Sequence, residues 1–168
     1  QSWYLDLTML HSYWGKERFY HHTAPINMIY ALYESLRIIR EEGLEQRCER
    51  HSIHSRAFGA GVTAMGLRLF AQEGHRAPML MAVAIPEGVD DAAVRRYLLS
   101  NYRLEIGGGL GPLKGRIWRV GLMGHSCNSE NVVLLLAGLE GALTAQGVPV
   151  ERGAGIEAAR EVYRASGM

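Results

Sequence analysis

The sequence predicts an α+β domain: a small, mainly antiparallel sheet with helices on one face, preceded by a long connecting helix. Three observations predict it. Two stretches of helical character follow one another between residues 25 and 65. Short apolar runs then alternate with helical ones in the order strand, strand, helix, strand, strand, helix. The run 79–85 is almost continuously apolar, as in a strand buried on both faces.

The elements follow in order. Trp3, Leu5, Leu7, Leu10, Tyr13 and Trp14 form a short apolar segment that stops at Gly15. Pro25 suits a helix start, because its missing N–H would be unpaired there, and Thr23 is expected to cap that start. Ile29, Leu32, Tyr33, Leu36 and Ile39 share one face of the helix, and Gly43 ends it. A second helix runs over 44–65, charged at first and apolar later, to Gly66. Strands are predicted at 67–71 and 79–85, with a turn at Pro86-Glu87-Gly88. Asp90 and Asp91 open a helix with Val94, Tyr97 and Leu98 inside. A brief apolar stretch, 104–106, enters the glycine run 107–111, and 117–122 is another strand. A long helix from Asn128 or Ser129 carries Val132, Leu135, Leu136, Leu139 and Leu143 on its inner face. A last helix, 156–164, follows the Gly153-Ala154-Gly155 break.

Composition removes several classes of function. Net charge is +1, which gives no electrostatic case for nucleic acid or an acidic membrane surface. No apolar run is long enough to span a bilayer, and residues 1–15 hold no signal-peptide pattern. Cys48 and Cys127 make neither a disulfide framework nor a zinc pattern, so both are expected reduced in a cytoplasmic protein. The Ala165-Ser166-Gly167-Met168 end is no sorting signal. The opening Gln1-Ser2-Trp3-Tyr4, without an initiator methionine, is expected to continue a longer chain.

Five groups of residues could carry chemistry. Tyr20-His21-His22-Thr23 precedes a helix N-terminus, where free N–H groups and the helix dipole attract anions. On physics alone, a capped helix start with an aromatic staple is the better account. Arg119 sits in an apolar strand and needs an anionic partner. Two readings stand level: a two-pronged grip on a ligand carboxylate, or a structural salt bridge to Glu105 or another acid. The 107–111 glycines are neither a Walker loop nor a dinucleotide fingerprint, and two readings stand: a mobile loop between strands, or a loop that moves over a site. His51 and His54, three residues apart on a helix, have metal-ligand spacing, but a solvated helix face is expected. Ser126 and Cys127 have no identifiable base, and helix capping explains them better. His11, His75 and His125 carry no specific signal.

Taken together, Ser2-Trp3-Tyr4-Leu5-Asp6, Tyr13-Trp14-Gly15, Tyr20–Pro25, Leu32–Leu36, Glu42–Glu45, Leu104–Pro112 and Trp118–Gly124 resemble the class V aminotransferases of the alanine–glyoxylate / serine–pyruvate family. The likeness covers roughly residues 2–146. It implies a fold type I enzyme that uses pyridoxal 5'-phosphate (PLP) and works as a homodimer. Each subunit has a large α/β domain and a small C-terminal one. Residues 1–25 match the end of the large domain, and 26–168 match the connecting helix and the small domain. Tyr20 and Thr23 match positions that reach the phosphate of the partner subunit's cofactor. Arg119 matches the arginine that binds the substrate α-carboxylate. The family's covalent PLP lysine, ring-pairing aspartate and stacking aromatic lie upstream of the matching region. Lys16 and Lys114 do not resemble the lysine's surroundings, so these 168 residues alone are expected to be inactive and to hold no catalytic residue.

For the parent protein, the expected reaction moves an amino group from alanine or serine to glyoxylate or another small keto acid. The alternatives are a ureidoglycine–glyoxylate or other class V aminotransferase, or a non-enzymatic interaction domain. An isolated chain of this kind is expected to self-associate through the open face of its connecting helix.

Overall fold

The computed structural model describes residues 2–167; Gln1 and Met168, which belong to the terminal segments Gln1–Tyr4 and Ala165–Met168, lie outside the described residues. The chain divides into two compact units, Gln1–Gly43 and Leu44–Met168.

The first unit begins with a 3-10 turn, Trp3–Leu5, and helix α1, Leu7–Trp14. Asp6 caps α1: its carboxylate accepts the N–H groups of Thr8 and Met9 at 2.9 and 3.1 Å. Helix α2, Ile26–Glu42, ends at Gly43, whose positive φ of 88° is a conformation glycine takes easily. The expected Thr23 cap does not form. Pro25 occupies the cap position, no side chain bonds there, and the Thr23 hydroxyl is engaged by Tyr20. The apolar face of α2 is present, but Ile29, Leu32, Tyr33 and Leu36 are exposed. Arg37 pairs with Glu34 and Glu41 one turn to either side.

The second unit runs α3 (Leu44–Ala64), β1 (Arg68–Leu69), β2 (Leu80–Ala84), α4 (Asp91–Tyr102), β3 (Gly107–Gly108), β4 (Ile117–Gly121), α5 (Ser129–Ala145) and α6 (Ala154–Ala165). The sheet order is β1-β2-β4-β3, and every neighbouring pair is antiparallel. Met81 and Val83 on β2 and Trp118 and Val120 on β4 are buried on one face, beneath the helices. They join Phe58, Leu98, Leu136, Leu139 and Leu143 in a single core. Each such side chain contributes about 1.5–3 kcal/mol by leaving water. Asp90 caps α4 and Asn128 caps α5, which leaves Ser126 and Cys127 out of the capping role. Helices α3 and α6 cross closely at two glycines. A Cβ on Gly61 would stand 2.8 Å from the Gly155 carbonyl oxygen and 2.6 Å from Leu136.

Four differences from the sequence reading have physical reasons. The strand expected over 67–71 pairs only at Arg68 and Leu69. The run 79–85 is not buried on both faces: Leu80 is exposed and Ala82 is half-buried, because helices cover only one side of the sheet. The stretch 104–106 stays outside the sheet, and two of the loop glycines form the edge strand instead. Helix α6 begins at Ala154, so only Gly153 breaks the chain, and Gly155 serves the α3 crossing.

Candidate active site

Two groups of residues carry the candidate chemistry, one in each unit. In the first unit, the Tyr20 hydroxyl and Thr23 Oγ1 lie 2.7 Å apart, and both residues are exposed just before α2. One O–H is spent within the pair, which leaves the other free to donate. No side chain among the described residues caps α2, so first-turn N–H groups face the same end of the helix. Such an arrangement suits an anion with several acceptor oxygens.

Behind this pair, His21 is buried and fixed at both nitrogens. Its Nε2 lies 3.0 Å from the Trp3 carbonyl, which only accepts, so Nε2 carries the proton. In the neutral ring, Nδ1 then accepts from His22 Nδ1 at 2.8 Å. Trp3 lies over His21, and Tyr13 meets both His22 and Tyr20 edge-on or tilted. The aromatic staple expected from the sequence is therefore present, and it holds the Tyr20–Thr23 hydroxyls rather than replacing them.

In the second unit, Arg119 lies on the uncovered face of the sheet. Its register partners are small on both sides, Ala82 on β2 and Gly107 on β3. Arg119 Nε donates to the Gly108 carbonyl at 2.7 Å. Among the described residues no carboxylate bridges it, so the Glu105 salt bridge does not form. The anchored Nε fixes the plane of the guanidinium and leaves the Nη groups, the two parallel prongs that match a carboxylate. Gly107 is a close approach: a Cβ there would stand 3.1 Å from Arg119 Nη2. Ile117, on the same face, is buried against the loop at Gly109.

The strand beneath is held from the core side. Trp118 Nε1–H donates to Asp91 Oδ1 at 3.0 Å. Arg95 grips the same carboxylate through Nε and Nη2 at 2.9 and 3.0 Å. These bonds, Arg95 foremost, hold the Asp91 carboxyl below the usual range. Local sequence pattern marks Asp91 only as a helix opener. A tryptophan on the buried face of a strand needs a partner for its N–H, and that need is the signal the sequence does carry.

His51 and His54 do not share a metal and are not a solvated face. His51 Nδ1 donates to the Arg47 carbonyl at 2.7 Å, and its Nε2 accepts the Gly124 N–H at 3.2 Å. His54 is buried and shares a 3.0 Å hydrogen bond with the Tyr163 hydroxyl. Burial pushes the His54 pKa down, helped by nearby Arg50, and pushes the Tyr163 phenol up to about 12. Among the described residues no group of His, Cys, Asp and Glu forms a metal set. Cys48 is exposed and Cys127 is buried. No helix among the described residues is long and apolar enough to cross a membrane.

No family model matches the chain. It is 46% identical over 164 residues to the (S)-ureidoglycine–glyoxylate transaminase of Bacillus subtilis (strain 168), covering 98% of this chain and 39% of that relative. It is 39% identical over 146 residues to the alanine–glyoxylate aminotransferase of Callithrix jacchus, covering 84% of this chain and 35% of that one. The crystal structure of ureidoglycine–glyoxylate aminotransferase from Bacillus subtilis superposes with a TM-score of 0.93 at 46% identity, over 98% of this chain and 42% of that one. The chain thus spans about two fifths of the length of the relatives it matches. The four-stranded antiparallel sheet, its helix layer and these alignments agree: the chain belongs to the class V aminotransferases, as a C-terminal portion of that family's fold type I enzymes.

Proposed function

We propose that this chain is the ligand-positioning part of a PLP-dependent transaminase that passes an amino group to glyoxylate or another small keto acid. Residues 1–25 complete the large domain in this reading, and 26–168 form the connecting helix and the small domain. Arg119 binds the substrate α-carboxylate. The observation that carries the reading is the Arg119 geometry: Nε anchored on a main-chain carbonyl, no acid among the described residues bridging the guanidinium, and small residues on either side. A guanidinium held in one plane orients amino donor and keto acid alike by the carboxylate they share, which brings their reacting carbons to one place.

Tyr20 and Thr23 hold the cofactor phosphate in the partner subunit of a homodimer. The free O–H of the pair and the uncapped α2 terminus fit a phosphate. Bound PLP supplies the electron sink for amino transfer, and its covalent lysine belongs to the part of the enzyme outside these residues. The apolar face of α2 meets the large domain and the second subunit, and the protein works in the cytoplasm. These 168 residues alone, mixed with PLP and an amino donor, give no transamination.

Alanine or serine is the donor in the first reading. A second reading, ureidoglycine as donor, is favoured by one observation: similarity to the Bacillus subtilis enzyme runs over 98% of this chain. Comparing kcat/KM for alanine, serine and ureidoglycine against glyoxylate in the full-length protein decides between them. The carboxylate role is tested in the same protein by Arg119→Ala. KM for donor and for glyoxylate is expected to rise at least about tenfold, the scale of a charged bidentate contact. Arg119→Lys is expected to restore part of the loss, and an unchanged KM refutes the role.

A further inference from the structure

A second arginine in this unit is held as Arg119 is. Arg76, in the β1–β2 connection, donates through Nε to the Ala71 carbonyl at 3.0 Å. Among the described residues no carboxylate bridges it. Arg76 lines a hollow of about 680 Å³ between α3 and the edge of the sheet. Arg56, on α3, lines the same hollow, and its polar contact among the described residues is a long one, 3.5 Å, to the Ser166 hydroxyl. Leu69, Pro78 and Met81 give the hollow an apolar wall. It exists because α3 presents Gly59, Ala60 and Ala64 there, residues too small to fill the space beneath the edge strand. Its volume is in the range of small-molecule sites.

The chemistry of the lining selects a ligand. No aspartate or glutamate is among the lining residues, and two guanidiniums are. Ser52, Ser55 and Thr63 also line it; the Ser55 and Thr63 hydroxyl protons are committed, to Met81 Sδ and to the Gly59 carbonyl, and Ser52 adds one neutral hydroxyl beside the two cations. The arginines are therefore the main donors, and they favour a negative head group. The wall of Leu69, Pro78 and Met81 favours an apolar body attached to it. We propose that this hollow is a second binding site, for a small carboxylate with an apolar body. It lies beside α3 at the β1 edge, whereas Arg119 stands on the other face of the sheet. An occupant there braces α3 against the β1–β2 connection, elements of the same domain that carries Arg119.

The test uses the full-length protein with Arg119→Ala, so that the proposed substrate site cannot capture the probe. The probe is 4-phenylbutyrate, with the uncharged 4-phenylbutanol as control, titrated by calorimetry. Saturable binding of the acid is expected, with the alcohol at least about tenfold weaker, as for loss of a charged hydrogen bond. Arg56→Ala with Arg76→Ala is expected to remove that preference; both side chains are exposed, so folding is retained. Ala60→Trp is expected to abolish binding of both probes by filling the hollow. Failure of saturable binding, equal affinity for acid and alcohol, or binding indifferent to the arginine pair overturns the proposal. None of these outcomes bears on the Arg119 reading, which is tested separately by substrate KM.

Discussion

Helices α2 and α5 are each 17 residues long, and each carries apolar residues at helical spacing. Helix α5 buries seven residues: Val132, Leu135, Leu136, Gly138, Leu139, Ala142 and Leu143. Helix α2 buries none. The difference lies in what surrounds each helix. Helix α5 packs against α3, α4 and α6 of its own unit. Helix α2 shares its unit only with α1 and a short aromatic cluster. Apolar periodicity therefore states that a face needs cover without stating where the cover comes from. In the proposed enzyme, the cover of α2 is the large domain and the second subunit.

The largest expected effect tests the self-sufficient side of the comparison. Phe58 on α3 is fully buried. Phe58→Ala is expected to cost about 3–5 kcal/mol, the range for deleting a core aromatic. Urea unfolding of the 168-residue chain, followed by circular dichroism, measures it. A loss under about 1 kcal/mol, no more than an ordinary surface change, would mean that the second unit is not organised around this core.

A smaller effect comes from the buried His54–Tyr163 pair, which ties α3 to α6. His54 is buried, and Arg50, His51, Glu130 and Tyr163 are the titratable groups around it. Burial and Arg50 hold its folded pKa below the ordinary value of 6.5. A depressed pKa means that the unfolded chain binds the proton more readily. The stability from His54 is thus complete above pH 6.5 and is lost as pH falls below that value and through the folded pKa. The slope contributed by one proton is at most about 1.4 kcal/mol per pH unit. Tyr163 acts in the opposite sense: its contribution is complete below pH 10 and is lost as pH rises through about 12. Urea midpoints between about pH 5 and pH 7 should rise with pH in the native chain and flatten in His54→Gln. Equal slopes would show that His54 does not titrate differently on folding.

The helices from α2 onward and their order are legible in the sequence, because caps and apolar spacing are local; α1 is not, and its stretch reads only as a short apolar segment. Asp90, Asn128 and Gly43 mark boundaries by chemistry that acts within a few residues. The edge strand at Gly107 and Gly108 is not legible as a strand, since glycine carries no strand preference and its pairing depends on Arg119 lying across it. The sharing of Asp91 between Arg95 and Trp118 joins residues 27 apart, beyond any local pattern. The Arg76 hollow is invisible for the same reason: its small residues are on α3, and its charge is partly in the β1–β2 connection. For Tyr20, Thr23 and Arg119, residue chemistry suggests an anion, and only resemblance to a family suggests which one.

The smallest expected effect is the one that sharpens the comparison most. Leu32, in the middle of α2, is 59% exposed. In the 168-residue chain, Leu32→Ala should change stability by no more than about 0.5 kcal/mol, because a surface side chain has little burial to lose and alanine is the better helix former. In the full-length enzyme the same substitution should cost about 2–4 kcal/mol, since the proposal buries that face against the large domain and the second subunit. The two measurements form one test. A large effect in the short chain would mean that α2 already finds cover there, through self-association, and sedimentation at several concentrations would reveal it. A small effect in both would mean that the face of α2 is not an interface in the enzyme, and its apolar spacing would then need a cause other than burial.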